Sequence, residues 1–242
     1  MRICLAQTRF HSGEIRENDD QHRAFISKAI ELGADAIYFP ELSLTGYEPE
    51  LAKDLTFEQS DMRFLPYQVL SNENNITIGI GVPVQRKEGI TISMVIFQPK
   101  QAYAFYDKKY LHTDELPYFV PGENLSADHL GDGQTALAIC YELSIEKHAR
   151  ESMTDKVCNY LASVAKYKDD VKHASETLSE IAKTFGIQTL MVNGVGPADG
   201  GICAGGSGIW NSEGKQMVQL GEEHPGLILF DTVTHEVQCI EM

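Results

Sequence analysis

The opening of the chain alternates between two rhythms of apolar residues. "RICLAQT" is short and apolar enough for a buried strand. "IRENDDQHRAFISKAIELGA" then puts Ile26, Ala29, Ile30 and Leu32 on a helical stripe that stops at Gly33, and "DAIYFPEL" returns to a strand. Strand, helix, strand is an α/β opening. After a polar helical stretch around "DMRFLPYQVLSNEN", the runs "ITIGIGVPV", "ITISMVIFQP" and "AYAFYDKKYL" follow with short connections punctuated by Gly and Pro, which predicts an antiparallel portion. The second half repeats the rhythm: strand "TALAICYE", helix "IEKHARESMT", strand "VCNYLASVA", helix "DVKHASETLSEIAKTFG", strand "IQTLMVNGV", then "GSGIWNS", "KQMVQL" and "LILFDTV". Two halves of similar order predict two sheets packed face to face with helices outside. No Pro/Ser-rich tract or charge block separates them, so residues 1–242 read as one domain.

Composition narrows the function. With 242 residues and 43% apolar content, the chain is long enough for a sizeable core. Its formal charge of -15 repels phosphate backbones and anionic lipid, so nucleic acid and membrane surfaces are poor partners and a small molecule fits better. Five cysteines, widely spaced and without a CxxC pair, argue against a disulfide framework and a structural zinc site. A reducing, cytoplasmic compartment is expected. "MRICLAQTRF" turns polar too soon for a signal peptide, and no run has the apolar length to span a bilayer.

Three strand ends carry chemistry. "YFPELSLTGY" delivers Glu41 behind an apolar run, "YDKKYLHTDELPYFVPGE" delivers Lys108 and Lys109 with Glu115 soon after, and "TALAICYELSIEKHA" delivers Cys140. Sites in α/β architectures gather at strand ends, so a carboxylate, an amine and a thiol emerging this way have a place to converge. In such a trio the carboxylate takes the thiol proton, the thiolate attacks a carbonyl or nitrile carbon, and the ammonium stabilises the oxyanion.

These residues, in this order, resemble the nitrilase superfamily of carbon–nitrogen hydrolases. "FPELSLTGY" is similar to the family's glutamate motif, "YDKKYL" to its lysine motif and "ICYE" to its nucleophile motif, with "YFVPGE", "VNGVG" and "GGSGIWNSEGK" also in place. The resemblance covers nearly the whole chain. It implies a single-domain four-layer α-β-β-α sandwich and a cofactor-independent amidohydrolase working through a thioester. It assigns Glu41 as general base, Cys140 as nucleophile, Lys108 rather than Lys109 as oxyanion partner beside the Tyr141 backbone N–H, and Glu115 as a second carboxylate orienting Lys108. It also implies a homodimer or larger homo-oligomer. Two segments depart from the family pattern: Leu143, Ser144, Ile145 and Glu146 stand where many members have Arg-Phe-Pro-Glu, and "KHASETLSE" replaces Arg-Ala-x-Glu-Asn.

Plainer readings compete at each position. Cys4 and Cys158 sit in apolar strands and read as packed thiols, while Cys203 and Cys239 have no paired base motif. Glu142 and Glu146 fall where a helix begins after Cys140 and read as dipole or surface carboxylates. The His residues show no metal spacing, and the glycines of "GVGPADGGICAGGSG" read as a turn-rich loop bordering the site. Tyr47, Tyr118, Tyr141 and Ala165 are the candidate lining of the substrate pocket. The expected reaction is hydrolysis of a small amide, of the amidase or ω-amidase kind. An N-carbamoyl amide hydrolase, a nitrilase, and a catalytically quiet binding protein that keeps the scaffold are the alternatives.

Overall fold

The computed structural model describes residues 1–123 and 133–242. In chain order the elements are β1 (Arg2–Gln7), α1 (Ile15–Glu31), β2 (Ala36–Tyr38), α2 (Ala52–Leu55), α3 (Leu65–Asn74), β3 (Thr77–Gln85), β4 (Ile90–Phe97) and β5 (Ala104–Asp107). They continue with β6 (Thr135–Ile139), α4 (Glu146–Ser152), β7 (Asn159–Val164), α5 (Lys168–Phe185), β8 (Gln188–Asn193), β9 (Val195–Ala198), β10 (Gly201–Ala204), β11 (Gly208–Trp210), β12 (Gln216–Gln219), β13 (Gly226–Asp231) and β14 (Val237–Glu241).

A seven-stranded sheet runs β14-β13-β1-β2-β3-β4-β5 and a five-stranded sheet runs β12-β11-β8-β7-β6. The two-residue period of the strands sorts their side chains into three apolar layers. On β1, Cys4 and Ala6 face the layer under α1 and α3, while Ile3 and Leu5 face the layer between the sheets. On β6, Leu137 and Ile139 join that inner layer, and Ala136 and Ala138 pack with Leu178, Ile181 and Ala174 of α5. Helix, sheet, sheet, helix is therefore the order of layers, as the family resemblance implies. The β3-β4-β5 meander is antiparallel, as the short connections predict.

The halves are less separate than their rhythm suggests. β13 returns from the second half to pair antiparallel with β1, and β14 extends that sheet beyond it. The Gly-rich stretch read as a loop contains the hairpin β9–β10, whose two-residue turn is Asp199-Gly200 with φ of 44° and 71°. That is the Asp-Gly signature of a tight hairpin, and it was present in the sequence. Cys158 also departs from expectation: it precedes β7 and is exposed, whereas Cys4 is buried. No helix among the described residues is long and apolar enough to cross a membrane.

Candidate active site

Glu41, Lys108, Glu115 and Cys140 come together at one end of the sandwich, where β2, β5 and β6 hand over to turns. β2 is short, and after Pro40 the chain leaves the sheet through a turn in which Leu42 has φ of 49°. The turn lies flat on β3: Leu44 N–H donates to Gly81 O at 3.1 Å and Gly81 N–H to Ser43 Oγ at 3.3 Å. Only glycine permits that approach, because a Cβ at position 81 would collide with Leu42 N and Pro40 O. The result is a Glu41 side chain that is fully buried.

Lys108 follows β5 and is itself buried. Its Nζ donates to Glu41 Oε1 at 2.7 Å and to Glu115 Oε1 at 2.6 Å. Glu115 Oε1 also accepts from Tyr47 Oη at 2.9 Å, and its Oε2 accepts from His112 N–H at 2.8 Å. One ammonium thus lies between two carboxylates, in a place where charges are costly unless paired. Burial opposes the lysine charge, but Glu41 and Glu115 outweigh it and hold Lys108 above the ordinary lysine range. Burial pushes Glu41 the other way, up to about 7, with Lys108 pulling down and Glu115 adding to the rise.

Cys140 directly follows β6 with φ of 44°, a strained left-handed conformation for a residue with a side chain, and starts a 3₁₀ turn through Ser144. The sharp turn leaves the partly buried Cys140 against the core on one side and lining a cavity of about 340 Å³ on the other. Burial, with Glu41 adding to it, raises the thiol to about 11, against the pull of Lys166 and Lys108. At neutral pH the proton therefore rests on sulfur. Glu41 Oε2 is buried and makes no hydrogen bond, and the Cys140 thiol is among the neighbours favouring its ionised form. The thiol's own hydrogen bond is a long one, donated to Ala165 O at 4.0 Å, so a protonated thiol near a carboxylate with an open oxygen is the arrangement that lets the proton move between them.

Tyr47, Glu115, Cys140, Tyr141 and Ala165 all line the cavity. Tyr118 does not: it is exposed, and its hydroxyl donates to Glu50 Oε1 at 3.3 Å. Glu142 is also placed otherwise than expected, since it is fully buried behind Cys140 instead of at a helix start or on the surface. The cavity has further walls that strand-end reasoning missed. His112, packed edge-on to Tyr141 at 5.2 Å, and Asp114 come from the segment after Lys108, and Ser144 from the altered segment after the nucleophile. Lys166, Asp170 and His173 follow β7, and Asp199 sits on the tip of the β9–β10 hairpin. The position of Lys166 two residues past a buried strand was the available signal. Asn193 secures that segment, accepting from Lys166 N–H at 2.9 Å and donating to Lys166 O at 3.0 Å. No group of three or more His, Cys, Asp or Glu able to hold a metal occurs among the described residues.

The four-layer fold with a buried Glu–Lys–Glu cluster beside a strand-end cysteine defines a class, and the sequence agrees: the carbon-nitrogen hydrolase family model matches residues 2–239. The chain belongs to that family and is a carbon–nitrogen hydrolase. Among solved structures, an amidase from Nesterenkonia sp. AN1, as a mutant with acrylamide added at its active-site cysteine, has a TM-score of 0.84 at 26% identity over 96% of this chain and 92% of that one. The same amidase after removal of its His-tag has a TM-score of 0.83 at 25% identity, with the same coverage. The glutamine-dependent NAD(+) synthetase of Acinetobacter baylyi is 28% identical over 228 residues, 90% of this chain and 41% of that protein. Its counterpart from Thermotoga maritima is 26% identical over 226 residues, 89% of this chain and 39% of that protein. The chain thus spans about two fifths of the length of the curated relatives it matches.

Proposed function

We propose that the protein hydrolyses the side-chain amide of a small ω-amide, with glutamine as the leading substrate, through a thioester on Cys140. The observation that carries this reading is buried Glu41, a neighbour of the Cys140 thiol, with Lys108 Nζ fixed on Oε1 and its Oε2 left open. Glu41 takes the Sγ proton as sulfur attacks the amide carbon, and the oxyanion is met by Lys108 and the Tyr141 N–H. The C–N bond breaks as Glu41 passes that proton to the departing nitrogen, which leaves as ammonia. Water then gives a proton to Glu41 and its hydroxyl to the thioester, and the acid leaves as the proton returns to Cys140. Glu115 keeps Lys108 in place and charged.

The substrate assignment rests on charge and on likeness. Asp114, Asp170 and Asp199 line the cavity against one lysine, Lys166, which favours an amide that carries an ammonium over one bearing only a carboxylate. The matched relatives are named as glutamine-dependent, and the solved neighbour is an amidase. A panel of glutamine, asparagine, simple primary amides, ω-amides without an amino group and N-carbamoyl amino acids, read by ammonia and carbon dioxide release, tests it. Ammonia alone, fastest from glutamine, is expected. Carbon dioxide release with ammonia would replace the reading with N-carbamoyl hydrolysis, and no release from any amide would end it.

A further inference from the structure

Behind Cys140, away from the cavity, a third buried carboxylate, Glu142, joins the two halves of the site. Glu142 Oε1 accepts from Lys109 N–H at 2.7 Å and, more weakly, from Tyr110 N–H at 3.4 Å. Its Oε2 accepts from Ile139 N–H at 2.8 Å and from Tyr106 Oη at 2.9 Å. The two short backbone donors are the residue just after Lys108 and the residue just before Cys140. They lie at the ends of β5 and β6, which belong to different sheets. One carboxylate therefore bridges the sandwich at the two peptides that carry the ammonium and the thiol.

The bridge is backed by a chain of buried polar groups. Tyr106 Oη lies 2.8 Å from His148 Nε2, and His148 Nδ1 lies 3.1 Å from Tyr160 Oη. All three side chains are buried. Their protons arrange in one direction without conflict: Tyr160 O–H to His148 Nδ1, His148 Nε2–H to Tyr106 Oη, and Tyr106 O–H to Glu142. Burial lowers His148 to about 4, so the ring is neutral at pH 7 and has one proton to give, as this order requires. Glu142 then has both oxygens filled and no open lone pair facing the thiol.

We propose that Glu142 is a positioning residue for the hydrolysis, setting the separation of Lys108 and Cys140 by clamping the peptides beside them, with Tyr106 holding its carboxylate in line. This inference rests on the reading of Cys140 as nucleophile. Glu142→Gln is the sharpest test, because its amide must turn an N–H group toward either the Lys109 N–H or the Ile139 N–H and so break one side of the clamp. Tyr106→Phe removes one donor, keeps the backbone bonds and changes volume little.

The experiment combines steady-state glutamine hydrolysis, iodoacetamide labelling of each cysteine read by peptide mass spectrometry, and circular dichroism for the folded fraction. Per folded molecule, Glu142→Gln is expected to lower kcat about 10- to 100-fold with KM within about twofold, the pattern of a misplaced transition-state contact. Tyr106→Phe is expected to cost about three- to tenfold, again in kcat. The Cys140 labelling rate should fall in both variants, while exposed Cys158 and Cys239 label as in the wild type. Unchanged kcat and Cys140 labelling per folded molecule, with any loss tracking unfolding, would reduce Glu142 to a structural residue. If Cys140→Ala keeps wild-type glutamine hydrolysis per folded molecule, the nucleophile reading itself fails and the clamp with it.

Discussion

Glu41 and Glu142 flank the same cysteine and are both fully buried, yet their surroundings give them opposite capacities. Burial raises both carboxyls. Glu142 has four donors, three of them backbone N–H groups that have no proton to exchange, and those of Ile139 and Lys109 oppose the rise. Glu41 has Lys108 on one oxygen and nothing on the other. A saturated carboxylate fixes geometry, and one with an open oxygen near a thiol can exchange a proton. Residue type and burial alone do not separate the two; the count of filled lone pairs does.

The largest effect should come from removing what Glu41 faces. Cys140→Ala is expected to abolish turnover with the fold intact, by ammonia assay and circular dichroism; retained activity would take Cys140 out of the mechanism. Glu41→Gln removes the exchanging oxygen and is expected to cost about 10²- to 10⁴-fold in kcat/KM, the usual range for a general base, and so more than Glu142→Gln. The reverse ranking would break the comparison.

Gly81→Ala tests the geometry of Glu41 without touching its chemistry. The added Cβ must displace the 40–42 turn, which is expected to cost about 1–3 kcal/mol of stability by overpacking, measured by urea unfolding, together with most of the activity. Full activity in a destabilised protein would show that the Glu41 turn tolerates movement.

His22 sharpens the rule by separating an open buried atom from a thiol neighbour. It is fully buried, its Nε2 has no hydrogen-bond partner, and its ring lies 4.0 Å from the Phe39 ring. Burial lowers it to about 3, against the pull of Asp19. A base depressed on folding contributes stability above its unfolded pKa of 6.5 that is lost as pH falls toward the folded value. His22→Leu should therefore gain about 2 kcal/mol relative to wild type between pH 7 and pH 5, by urea unfolding at the two pH values, with kcat unchanged at pH 7. A loss of kcat would mean that open buried atoms matter even without a thiol neighbour.

The catalytic candidates were readable because their types are out of place where they occur. A glutamate after "AIYFP", a lysine closing an aromatic strand and a cysteine ending "TALAI" all interrupt buried runs at strand ends, and the structure brings all three together. Glu142 was not readable in the same way. A helix begun directly after Cys140 would have turned it outward, but the chain makes a 3₁₀ turn over residues 140–144 and α4 starts only at Glu146, which folds Glu142 beneath the nucleophile. The hairpin carrying Asp199 was hidden for another reason: Gly, Pro and Ala leave no apolar alternation to count, and only the Asp-Gly turn marked it. Tyr118 shows the converse, since an aromatic near a motif has no preferred side until the turn around it is known.

The measurement closest to the central claim is kcat/KM against pH for wild type and Glu41→Gln, the variant assayed at enzyme concentrations raised to offset its lower rate. Glu41 must be ionised to take the thiol proton, so the wild-type rate should fall as pH drops below about 7, the value to which burial raises that carboxyl. The residual rate of Glu41→Gln should lack that acid limb. The same limb in the variant, or a wild-type rate flat through pH 7, would contradict proton exchange between Cys140 and Glu41.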